Sequence, residues 1–264
     1  MSLSLSLKLV LSPVLVAQAL LTRARLPRLP EAEGERRGLA VPPGLAQDPA
    51  AARPPLRLLI AGDSSAAGVG VVHQRHALAG LLAPLLAPEL DTAVAWQLCA
   101  RSGLTTAGTL ALLQQHAADG ELAPADVAVV VTGVNDVVDQ VPSARAVAAR
   151  EALANWLRNA HGVQHVAFAP LPPIHQFPGL PQPLRWMAGA DARRHNAALA
   201  AWATERARSG GDVSCVPMQV PLNRGVMAHD GFHPGEPVYR YCAAVIAEHL
   251  AGHVWPRLAG GFRP

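Results

Sequence analysis

The chain has 264 residues, half of them apolar, 4% aromatic and 16% charged, with a formal net charge of +3. This length suits one medium α/β domain with an extension and excludes two large domains, and the scarce aromatics leave a core built of Ala, Leu and Val. The charge is local: residues 1–38 hold six basic and three acidic side chains, and the rest of the chain holds sixteen of each. A neutral body without a basic stripe excludes nucleic acid as the main partner.

In chain order, the first element is the apolar segment 3–21, which carries Lys8 and Pro13. Its charge-free part, Leu9 to Leu21, is short for a span of roughly 20 residues. Arg23, Arg25 and Arg28 follow at once. Three readings stay open. Ala17-Gln18-Ala19 fits the cleavage site of a secretory signal. An apolar run followed by arginines fits a membrane anchor, shallow or spanning, that meets anionic headgroups. The third reading is a helix docked on the core. Residues 1–22 are thus an anchor or signal segment, and the protein is expected to be membrane-associated or exported. Residues 27–55 contain seven prolines and three glycines, so 23–54 read as a linker and 55–264 as the folded domain. A chain beginning near Pro54 is expected to keep its activity.

Short apolar or β-branched runs at 56–61, 94–99, 127–132, 165–169 and 212–216 read as five strands. The stretches 75–87, 105–118, 143–160, 189–208 and 237–251 between and after them read as helices. This alternation predicts a parallel sheet covered on both faces. Ligands bind beyond the carboxyl ends of such strands, and four polar or glycine-containing groups stand there or at the start of the last helix. They are Gly62-Asp63-Ser64-Ser65, Arg101-Ser102-Gly103, Gly133-Val134-Asn135-Asp136 and Asp230-Gly231-Phe232-His233.

These groups suit acyl transfer. A serine hydroxyl needs a base to take its proton; Ser64 is the candidate nucleophile and His233 the base. Asp230, three residues earlier, can hold the imidazole tautomer. The backbone N–H groups of Ser64 and Gly103 and the Asn135 amide are candidate oxyanion donors, and glycine at 103 keeps a Cβ out of the way. Asp63 and Asp136 read as loop-bonding residues.

GDS at 62–64, the glycine at 103, GxND at 133–136 and DxxH at 230–233 together resemble, in order and spacing, the four blocks of the SGNH/GDSL hydrolases across about 56–251. The resemblance implies a three-layer α/β/α sandwich with a five-stranded parallel sheet of flavodoxin-like type, and esterase, lipase or acyltransferase chemistry without metal or cofactor. It assigns Ser64, Gly103, Asn135 and His233 to the four lettered roles and Asp230 to the triad. Ser65 replaces the leucine usual after GDS.

No histidine pattern reads as a metal site, no G-x-S-x-G is present, and GVGV at 68–71 is not a dinucleotide fingerprint. Cys99, Cys215 and Cys242 read as small buried hydrophobes, with a disulfide left open. The proline-rich stretch 170–187 is expected to wall an acyl pocket with Ile174, Phe177, Leu180, Trp186 and Met187. The expected function is cleavage of a carboxylic ester, of a lipid or small molecule, through an acyl-enzyme on Ser64. The alternatives are acyl transfer at the same site and, from another class, a membrane-tethered binding protein without catalysis.

Overall fold

The computed structural model describes residues 5–44 and 54–259. Its strands are β1 (Arg37–Ala40), β2 (Leu56–Gly62), β3 (Val94–Ala100), β4 (Val127–Val131), β5 (His165–Phe168) and β6 (Val213–Cys215). They form one sheet in the order β1-β3-β2-β4-β5-β6, with β2 to β6 parallel and β1 antiparallel on the outer edge of β3. The helices are α1 (Leu5–Arg25), α2 (Ser64–Ala67), α3 (Leu78–Leu90), α4 (Thr106–Ala118), α5 (Val134–Val138), α6 (Ser143–His161), α7 (Leu184–Ser209), α8 (Glu236–His249) and α9 (Trp255–Ala259).

The three-layer arrangement follows from the twofold alternation of a strand. In β2, Leu58 and Ile60 face a core shared with Leu82 and Leu86 of α3 and Ile246 of α8. Leu59 and Ala61 face the opposite core, with Leu113 of α4, Leu153 of α6 and Leu199 of α7. Both faces of the sheet are covered, as a parallel sheet requires. The order reverses between β2 and β4, so their carboxyl ends open the crevice where such folds bind ligands.

The expected sheet of five parallel strands gains a sixth. Residues 37–40, expected within the linker, pair with β3 from Arg37 opposite Gln97 to Ala40 opposite Val94. Upstream of them Ala32 is buried and Glu33 bridges to His73. An exposed edge strand needs no apolar face, so Arg-Gly-Leu-Ala carried no strand signal, and composition alone made it look like a linker.

Helix α1 rests on the start of α7: Gln18 Nε2 donates to Gln182 O (2.6 Å) and Gln18 Oε1 accepts from Leu184 N (3.1 Å). Val14, Val16, Leu20 and Leu21 remain exposed, which departs from a core-docked helix. Among the described residues no helix is long and apolar enough to cross a membrane.

Candidate active site

Ser64 is the first residue of α2, directly after β2. The helix is capped by Asp63, whose Oδ1 accepts from Ser65 N (2.9 Å). Asp63 is buried, and that burial pushes its carboxyl up to about 7 despite the Ser65 N–H. The chain leaving α2 is held against α8 and the segment before it. Tyr239 Oη donates to Val69 O (2.7 Å). Gly70, at φ +106°, passes so close to Pro234 that a Cβ would stand 2.1 Å from its carbonyl oxygen. Only glycine meets both demands, and this contact seats the His233 segment beside the Ser64 turn.

His233 Nδ1 lies 2.6 Å from Asp230 Oδ2, and Asp230 Oδ1 accepts the backbone N–H groups of Phe232 (2.9 Å) and His233 (3.0 Å). Burial pushes the Asp230 carboxyl up. The hydrogen bonds from the His233 ring and the two backbone N–H groups outweigh it and hold the carboxyl below its usual range. An ionised Asp230 accepts from Nδ1, which leaves the other ring nitrogen, Nε2, as the basic lone pair. The ring is backed edge-to-face by Phe232, and Phe232 by Phe177, at centroid separations of 5.1 and 5.2 Å.

The loops after β3 and β4 are bound to each other. Asn135 Nδ2 donates to Leu104 O (3.0 Å). Asp136 accepts from Thr106 N (3.0 Å) and from Thr106 Oγ1. Gly103, exposed, thus stands next to a carbonyl that the Asn135 amide already holds. The Gly103 loop is also braced from outside: Ser102 N donates to Glu31 Oε1 (2.6 Å), and Arg36 Nη1 donates to Ala100 O (2.8 Å).

Ser64 and His233 line one cavity of about 570 Å³, within the size range of small-molecule sites. Of the five side chains expected to wall a pocket, Phe177 does so. Ile174 and Leu180 are buried in the neighbouring core, Met187 is buried away from the cavity, and Trp186 is exposed. Pro170, Leu171, Pro172, Pro173 and Gln176 of the same proline-rich stretch line it too, and the sequence did not point to the further wall of Met218, Val220 and Leu222 after β6 and Val238, Cys242 and Ile246 of α8. The three cysteines are free. Among the described residues no group of three or more His, Cys, Asp or Glu is placed to hold a metal ion.

A doubly covered parallel sheet with a serine turn, an Asp–His pair and two cross-linked loops at its carboxyl edge is the framework of an α/β/α hydrolase. The comparisons agree. The chain belongs to the GDSL-like lipase/acylhydrolase family, whose model matches residues 60–241, and is a carboxylic ester hydrolase. No curated protein sequence matches it. Among solved structures, a lipase, Lip_vut3, from a goat rumen metagenome is similar at 18% identity and a TM-score of 0.59, covering 75% of this chain and 98% of its own. A Clostridium thermocellum family 3 carbohydrate esterase is similar at 16% identity and a TM-score of 0.57, covering 78% and 100%. TesA is similar at 25% identity and a TM-score of 0.51, covering 77% and 98%.

Proposed function

We propose that the protein hydrolyses carboxylic esters through a covalent acyl-enzyme on Ser64. The Asp230–His233 hydrogen bond beside Ser64, at the mouth of an apolar cavity, carries this reading. Ser64 Oγ attacks the ester carbonyl as His233 Nε2 takes its proton. The same proton passes to the departing alcohol, and a water activated by His233 then releases the acid and frees Ser64. The Ser64 and Gly103 N–H groups and the second N–H of the Asn135 amide serve as oxyanion donors. Transfer to another alcohol would use the same groups, but the exposed Gly103 loop leaves the acyl-enzyme open to water, which favours hydrolysis.

The test is Ser64→Ala. Esterase activity should vanish while stability stays within about 1 kcal/mol of the parent, as for a change outside the core. A serine-directed phosphonate should label the parent alone, and labelling of another serine in the variant would overturn the assignment.

A second reading concerns location. The exposed apolar side chains of α1, followed by Arg23, Arg25 and Arg28, favour a helix lying in an anionic membrane surface. N-terminal sequencing of the mature protein separates this from export, since cleavage after Ala19 would leave a chain starting at Leu20.

A further inference from the structure

The cavity beside Ser64 has a direction and a chemistry of its own. Val238, Cys242 and Ile246 lie four residues apart on α8 and all three line it. A fourfold spacing puts them on one stripe of the helix. At 1.5 Å per residue the stripe is ~12 Å long. Its near end follows His233 and Pro234, which border the same cavity; its far end, at Ile246, belongs to the core on the α3 side of the sheet. The cavity therefore runs from the proposed nucleophile inward along α8.

Its polar lining is spent on the protein itself. Asn196 uses both ends of its amide on Leu171: Oδ1 accepts from Leu171 N and Nδ2 donates to Leu171 O, each at 2.8 Å. Gln176 Oε1 accepts from Leu222 N (3.0 Å). Tyr239 Oη donates to Val69 O (2.7 Å). Ser64, Ser65 and His233, half-buried, stand together at the catalytic end of the lining, and His175, Arg193 and Gln219 are exposed and mark the outer rim. A sugar drawn into this channel would lose water and find few partners, at a cost for each unmade hydrogen bond; an alkyl chain loses nothing and is driven in.

Resting on the reading of Ser64 as nucleophile, we infer that the natural substrates are esters of straight-chain fatty acids of medium length, with the acyl tail lodged along α8 between Val238 and Ile246. An extended chain advances ~1.2 Å per single bond, so the stripe takes about ten carbons. Ile246, at the far end, sets the length limit, and Cys242 stands halfway along the tail.

The experiment is a kcat/KM profile on p-nitrophenyl esters from acetate to palmitate and on acetylated sugars, using the full chain. Each methylene buried should raise kcat/KM about fourfold, to a maximum between octanoate and dodecanoate, with palmitate lower. Cys242→Phe should fill the channel and lower kcat/KM for decanoate at least tenfold relative to butyrate. Calorimetry adds a readout that needs neither that variant nor turnover: decanoate should bind Ser64→Ala, and acetate should not at the same concentration. An optimum at acetate, preference for acetylated sugars, a flat profile, or a Ser64→Ala protein that does not bind decanoate overturns the inference. Residual turnover by Ser64→Ala instead overturns the nucleophile assignment, whatever the chain-length profile.

Discussion

Arg150 and Asp136 are 1% and 2% exposed, and Arg150 Nη2 stands 3.9 Å from Asp136 Oδ2. None of the three guanidinium nitrogens has a hydrogen-bond partner among the described residues. Burial pushes the Arg150 pKa down and the Asp136 carboxylate pulls it back up, but a guanidinium stays charged in a protein. The pair lies under the loop that carries Asn135, and a Cβ on Gly133 would approach Arg150 Nη2 to 2.6 Å. Glycine at 133 thus makes room for the cation.

Removing one member of a buried pair leaves the other uncompensated. Arg150→Met should destabilise the protein by about 3–5 kcal/mol in urea unfolding. The double variant Arg150→Met with Asp136→Asn should recover much of that loss, because no lone charge remains. Additive losses in the double variant would show that Arg150 acts through packing rather than charge.

Asn135 is bound through one amide hydrogen to Leu104 O, so its other N–H has a fixed direction. Asn135→Ala should lower kcat by roughly 10²–10³ with KM little changed, as for loss of an oxyanion donor. A change confined to KM, in steady-state assays on a soluble ester, would make Asn135 a substrate-binding residue instead.

The placement of Ser64, Gly103, Asn135 and the Asp230–His233 pair at strand ends and before α8 was legible because each follows a short apolar run or precedes a helix. Thr106 was not, since its value lies in a bond to Asp136 thirty residues away. Arg150 left a weak trace: it shares a spacing of four, seven and eleven from Ala146 with Leu153 and Leu157, all buried, which marks a cation on the apolar stripe of α6. Strand β1 left none, because an exposed edge strand of Arg, Gly, Leu and Ala has no periodicity to read. The cavity wall after β6 was hidden for a related reason, as irregular chain lines a site through where it runs rather than through any pattern it carries.

Asp63 predicts a pH dependence of stability. Its carboxyl is raised by burial to about 7 in the folded protein, against about 3.9 when unfolded. Between these values the folded state holds a proton that the unfolded state has released, so stability falls as pH rises from about 4 to 7. Asp63→Asn keeps the cap oxygen for Ser65 N and removes the titration. Urea unfolding should therefore show the variant gaining on the parent across that window, by a few kcal/mol in total. A constant difference between pH 4 and 8 would mean that Asp63 is ionised throughout.

The last prediction separates the two parts of the N-terminal region. The boundary near Pro54 suggested by composition would remove Glu31, Arg36 and β1, which hold Ser102 N, Ala100 O and the edge of β3. A chain starting at Leu29 keeps all three and removes only α1 and its arginines. On a soluble short-chain ester, the Leu29 start should match the full-length chain, and the Pro54 start should lose most of its activity. Glu31→Ala in the full chain isolates the clasp on the Gly103 loop. Its kcat should fall about tenfold, short of the roughly 10²–10³ for outright loss of a donor, and its sedimentation with anionic vesicles should be unchanged. The Leu29 start should stay in the supernatant with those vesicles, while the full-length chain pellets. Equal activity of the Pro54 and Leu29 starts would return residues 31–40 to the status of a linker, and a full-length chain that remains with the supernatant would remove the membrane role from α1.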